Sequence, residues 1–130
     1  MLNTSGPLSG LLQYMNYLQK GLAVHTDNIG RTDVPGAQAN ELKPFSEQVK
    51  KRSSASISRT STGHLSPKPT IAGTYSVSKV KGDDVAANGN GIDRHDELAK
   101  INNITTDYLK ATRLYQKGVG MLRTILGSKG

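Results

Sequence analysis

The sequence predicts a mainly α protein: a helix toward each end, the two paired as a coiled-coil-like unit, around an irregular, partly extended or short-β middle. Three observations carry this expectation. Apolar side chains recur in steps of three and four through residues 8–29. They do so again from Leu98 to Leu126, the spacing of a helix with one buried stripe. Between the two runs, thirteen of the 33 residues from Ser46 to Ser78 are Ser or Thr, so that stretch has little to bury. The chain therefore divides into 1–35, a seam helix with a Pro-Gly turn; 36–91, a basic Ser/Thr-rich extended middle; and 92–130, a second seam helix. Residues 1–35 and 92–130 are expected to form one helical domain.

The first seam runs through Leu8, Leu11, Met15, Leu18, Leu22, His25 and Ile29. Gly6 and Pro7 precede it, and Ser5 or Ser9 is placed to cap it. Gly21 falls inside the run, where it costs a helix up to about 1 kcal/mol relative to Ala. The helix is expected to end between Gly30 and Pro35. In the middle, Thr74 to Val80 alternates with period two, as a short strand would. Asn88-Gly89-Asn90-Gly91 is a turn signal. The second seam is longer: Leu98, Ile101, Thr105, Tyr108, Thr112, Tyr115, Val119, Leu122 and Leu126. Ile104, Leu109, Ala111, Leu114 and Ile125 widen its apolar stripe beyond what one partner helix covers. Asp93 suits the N-cap, Asp96 and Glu97 suit the first turn, and Gly127 ends the run. About 30 residues at 1.5 Å each span about 45 Å, so this helix is expected to outreach its partner and pack on neighbouring subunits.

Composition narrows the function. Apolar residues make up 35% of the 130, below the roughly 45–50% of ordinary globular domains. One Phe and no Trp leave a small core, and a chain this short is marginal even with a normal one. The expectation is a chain largely unordered alone that becomes helical on assembly. Without cysteine there is no disulfide framework and no thiolate metal site. No run approaches the roughly 20 apolar residues of a membrane span. No cleaved signal peptide is expected either, because Lys20 is the first cation and Gln13 and Asn16 interrupt the early apolar run. The net charge of +7 resides in the middle, where residues 43–81 hold eight cations against Glu47 alone.

No nucleophile elbow, P-loop or dinucleotide fingerprint is present. Asp93, His95, Asp96 and Glu97 are the densest set of potential ligands, but in a first helical turn they diverge, and capping explains them more cheaply. His25 and His64 have no ligand-like spacing. No enzymatic activity, cofactor, metal or small-molecule substrate is expected. The basic middle could attract phosphate, yet Phe45 and Tyr75 are its only aromatics, too few for a stacking platform. A basic helical binding protein for nucleic acid or an anionic surface, and a secretion chaperone or regulator, are the alternatives to a structural subunit.

The residues around the two helices resemble a family. Asp27-Asn28-Ile29 followed by Asp33-Val34-Pro35-Gly36 is similar to the Ala-Asn-Asn-Ile-Ala-Asn-x-x-Thr-Pro-Gly-Tyr signature of bacterial flagellar rod and hook proteins. Arg31, Val34 and Ala37 depart from it. Gly89-Asn90-Gly91-Ile92-Asp93, with Glu97 four residues on, resembles the Gly-Asn-x-Val-Asp-x-x-x-Glu that opens their C-terminal helix. Tyr108, the Gly120-Met121-Leu122 ending and Thr62-Gly63-His64-Leu65 add to the likeness. The length fits the proximal basal-body rod members best.

That resemblance implies terminal helices packed antiparallel. Leu11, Met15, Leu18, Leu22, Ile29, Leu98, Ile101, Tyr108, Tyr115, Val119, Leu122 and Leu126 would be the packing and assembly positions. Asn28, Ile29, Pro35 and Gly36 would form the signature turn, and Asn90, Asp93 and Glu97 the entry to the C-terminal helix. It also implies export by the flagellar type III apparatus and a periplasmic place in the flagellum basal body. The partners would be copies of itself, other rod proteins, the rod-to-membrane-ring junction proteins and the export gate. Phe45 and Val49 fit a Phe-x-x-x-hydrophobic export-gate element.

Overall fold

The structure, a computed structural model, describes residues 6–53, 75–82 and 85–127. In order these form α1 (Pro7–Gly30), β1 (Ala39–Leu42), α2 (Phe45–Ser53), β2 (Val77–Val80) and α3 (Arg94–Gly127). The protein is mainly helical, with its two long helices paired and a two-stranded antiparallel sheet between them in sequence. The pairing is antiparallel. Asn28 near the end of α1 meets Glu97 in the first turn of α3, and Leu8 near the start of α1 meets Gly118.

Pro7 sits at the first position of α1, where its missing N–H is no loss, and Gly6 is the N-cap. Ser9 does not cap this helix as the sequence suggested. The Ser9 hydroxyl donates back to the Gly6 carbonyl at 2.8 Å, and Ser5 lies outside the described residues. The helix stops at Gly30, and the Arg31 and Thr32 N–H groups close on the carbonyls of Asn28 and Ile29.

The buried face of α1 is Leu18, Gly21, Val24, His25 and Asn28. This corrects the expected seam at Leu22, which is exposed, whereas Leu11, Met15 and Ile29 are half-buried. The reason is that α1 packs on more than one element. Val24 clusters with Leu42 of β1 and with Tyr75, and Tyr17 packs against that cluster, which turns the helix away from a two-helix seam. Gly21 lies where α1, β1 and α3 crowd. A methyl there would stand 3.1 Å from Ile104 Cδ1 and 3.5 Å from Leu42 Cδ1. The helix weakness expected of this glycine is thus offset by close approach.

On α3 the packed register is Glu97, Ile104, Ala111 and Gly118, seven apart, with Ile101, Tyr108 and Tyr115 half-buried between them. Ile101, Tyr108 and Tyr115 belong to the expected seam, whereas the other packed positions lie one residue before the expected Leu98, Thr105, Thr112 and Val119. The sequence reading placed the seam at Leu98, Leu122 and Leu126, all of which are exposed, and at Val119, which is half-buried. Large apolar residues guided that reading, whereas the contact with α1 uses a carboxylate, a methyl and a bare backbone.

Residues 36–91 are not purely extended. Pro44 starts α2, accepting from the Glu47 and Gln48 N–H groups through its carbonyl, and a run of good helix formers follows. The strand expected over 74–80 appears as Val77–Val80. It pairs with a partner the sequence did not single out, in the register Ala39 to Val80 and Leu42 to Val77. Thr74 and the Thr62–Leu65 element lie outside the described residues.

Candidate functional site

Two features stand out, one at each end of the helical pair. The first is a polar clasp where α1 ends and α3 begins. Glu97 is 2% exposed and Asn28 fully buried, and burying such groups is tolerable only when their hydrogen bonds are made. They are. Asn28 Nδ2 donates to Glu97 Oε2 at 2.9 Å and to the Asn40 carbonyl at 2.7 Å. Its Oδ1 accepts from the Asn40 N–H at 2.9 Å and from the Arg31 guanidinium at 2.8 Å. That is the full complement of a side-chain amide.

His25 Nδ1 stands 2.7 Å from the same Glu97 oxygen. Lys100 approaches Glu97 Oε1 at 3.5 Å and holds Asp96 at 2.8 Å. Burial works against the Lys100 ammonium, but its bond to Asp96 and the charge of Glu97 outweigh that, and its pKa is raised.

Asn90 completes the clasp from the other chain segment. Its Nδ2 lies 3.1, 2.7 and 2.7 Å from the carbonyls of Arg31, Thr32 and Val34. Two N–H bonds are shared among three acceptors, so this one amide serves three carbonyls of the turn that follows α1. Its Oδ1 accepts from the Ile92 N–H. Asp93 then caps α3, taking the His95 N–H at 2.8 Å. The loops interlock through Gly36 N–H to the Asn88 carbonyl and Gly91 N–H to the Ala37 carbonyl. Gly36 and Gly89 take positive φ values of 71° and 80°, where a side chain is strained. Among the described residues, no buried side-chain polar atom lacks a partner.

The second feature is the tip of α3. Leu8 faces Gly118, so the nine residues that follow on α3 run about 13 Å past that contact. Met121, Leu122, Ile125 and Leu126 are exposed there, Leu126 at 74%. Nearer the clasp, Leu22, Ile104 and Tyr108 border a groove between the two helices, bridged by Gln19 Nε2 donating to the Tyr108 hydroxyl at 3.1 Å.

The structure thus brings Asn28, Asn90, Asp93 and Glu97 to one end, with half-buried Ile29 beside them and exposed Pro35 at the turn. It separates them from Phe45 and Val49. Phe45 packs against Tyr14 and Tyr17, with ring centroids 5.2 and 5.3 Å away, and Val49 is exposed one turn on. Tyr17 donates to the Lys43 carbonyl. Burial first, then Tyr14 and Glu41, raises the pKa of the Tyr17 phenol. Asn40, Arg31 and Gln48 are site and core groups the sequence did not mark. Gln48 is buried and pairs its amide with the Ser76 backbone, accepting at 3.1 Å and donating at 2.9 Å. Nothing in the sequence pattern singled it out, because the helix that carries it was not expected.

Chemically, the clasp holds structure together. No group of three or more His, Asp or Glu among the described residues could hold a metal ion. No described helix is long and apolar enough to cross a membrane. No protein-family model matches the chain, and no curated protein matches it.

Proposed function

We propose that the chain is a non-enzymatic structural subunit of the flagellar basal-body rod type, closest to proximal rod members, which assembles through its terminal helices after type III export. One observation supports this above the others. The residues of its two resemblance motifs, Asn28 on one side and Asn90 and Glu97 on the other, meet in a single satisfied clasp although Asn28 and Glu97 are 69 positions apart. A signature split between the two ends of a chain has a physical purpose if those ends must be locked to each other. The exposed apolar tip of α3 supplies the complementary half of the argument, a surface for neighbouring subunits. Burial there at about 25 cal/mol per Å2 would offset ordering costs that a lone chain meets poorly. The partners are copies of itself, other rod proteins, the ring junction proteins and the export gate, and the place of assembly is the periplasmic part of the basal body.

The test is complementation of a deletion strain with a Tyr115→Asp variant. Tyr115 is half-buried in the packed register of α3. Export of the variant should be intact and motility lost. Normal motility removes this reading. The run 108–127, which holds four cations and no acid, favours one competitor, a binder of nucleic acid. Salt-sensitive nanomolar DNA binding by the purified chain would replace the subunit reading.

A further inference from the structure

Among the described residues, charge is sorted along the axis of the two long helices. The described segments that meet at the clasp end, 27–41, 81–82 and 85–100, carry six Asp or Glu against four Lys or Arg. The segments at the other end, 6–19 and 108–127, carry four cations, Lys110, Arg113, Lys117 and Arg123, and no acid. At the clasp end three of the cations are engaged: Arg31 with Asp27 at 3.0 Å, Arg94 with Asp33 at 3.9 Å and Lys100 with Asp96 at 2.8 Å. Lys81 is exposed nearby. Even so, the Asp33 side chain stays 94% exposed, and Asp93 is exposed as well. At the tip, Lys110 leans on Asp107 at 3.4 Å. Arg113, Lys117 and Arg123 are exposed and form no ion pair among the described residues.

Each end also presents apolar surface. Met121, Leu122, Ile125 and Leu126 are exposed at the tip, and Val34 and Val85 on the clasp-end loops. Those loops lie together, because Asn90 binds the Val34 carbonyl while accepting the Ala86 N–H through its own carbonyl.

We propose that the tip of α3 in one copy docks on the clasp-end loops of a second copy, Val34 and Val85 meeting the tip's apolar side chains and Asp33 and Asp93 meeting its cations. This deepens the subunit reading and rests on it. The 34 residues of α3 span about 51 Å, whereas charges are screened over about 8 Å at physiological salt. The two ends of one molecule therefore do nothing for each other electrostatically. They compensate only when one molecule meets the next. End-on tip-to-tip or clasp-to-clasp contact places like charges together, whereas tip-to-clasp contact pairs opposite ones. Made end-on, that contact is heterologous and leaves a free tip and a free clasp to extend the assembly. A polyanion at the tip would use the cations and leave the acidic end unused, whereas a second copy accounts for both.

The chain has no cysteine, so single-cysteine variants report the contact directly. Reduced Asp33→Cys and Arg123→Cys proteins, each at an exposed position, are oxidised at low salt, each alone and as an equimolar mixture. Mixed-species disulfides should exceed those formed within either preparation at least ten-fold. Equal crosslinking within either preparation overturns head-to-tail docking while leaving a self-assembling subunit intact. A triple R113E/K117E/R123E variant, helical by circular dichroism, should associate at least ten-fold more weakly and recover when mixed with a D33K variant. Unchanged association of the triple variant overturns the docking geometry. Absence of any self-association by the unaltered chain overturns both this and the subunit reading.

Discussion

The clasp and the tip are built from the same two helices and by opposite rules. At the clasp nearly every buried group is polar and every bond is made within the chain. At the tip Met121, Leu122 and Leu126 are apolar and exposed among the described residues. A polar network tolerates few arrangements, since each partner left unpaired carries a large penalty. An apolar stripe accepts many partners of the right shape. The difference teaches where this molecule keeps its specificity and where it keeps its spare free energy. The polar network holds the clasp end, and the tip keeps exposed apolar side chains.

The comparison breaks most directly at Glu97. Replacing it with Ala strands His25 and Asn28 inside the protein and should lower stability by about 3–5 kcal/mol, the cost of leaving a buried partner uncompensated. Urea unfolding of the monomer measures it. A loss no larger than at the surface would mean that the clasp is not the folding centre. Asn90→Ala comes next. It frees three carbonyls of the turn that follows α1 and should cost about 1–3 kcal/mol, with hydrogen exchange accelerating at residues 28–34.

Leu126→Gln sharpens the other side. At 74% exposure it should change monomer stability by no more than about 0.5 kcal/mol while weakening association measured by sedimentation. A large change in stability would show that the tip is packed in the free chain.

The smallest effect is alkaline. Lys100 and Tyr17 both have pKa values raised in the folded protein. Their contribution is therefore complete below their unfolded values, near 10, and is lost as pH rises through the folded values. Stability should be flat from neutral to about pH 9 and decline beyond, followed by tyrosinate absorbance. A decline that begins near neutrality would assign it to other groups.

Much of the fold was legible because periodicity survives in sequence. The two long helices, the second strand and the turn at Asn88–Gly91 follow from spacing and from glycine. The register between helices did not, for a specific reason. Pattern reading follows large apolar residues, and the contact positions on α3 are Glu97, Ala111 and Gly118, with only Ile104 of the expected kind. β1 was missed because Ala-Asn-Glu-Leu carries no alternation, and it is held as a strand by Asn28 and by β2. The residues of the clasp were named from a likeness to other chains, but their convergence was not visible. Hydrogen bonds across 69 positions leave no local trace. Nor did the composition foretell how well the clasp end is satisfied. The composition predicts a largely unordered free chain, and hydrogen exchange of the dilute protein tests it through the protection of the clasp end.

The bond from Asn28 to Asn40 has a consequence of its own. A two-stranded ribbon has open edges, and an open edge recruits any extended chain that drifts past. Asn28 takes both the N–H and the C=O of Asn40, filling the place a third strand would occupy. A polar side chain thereby acts as a stopper on β1. Removing it would do more than loosen the fold: it would expose a template for aggregation.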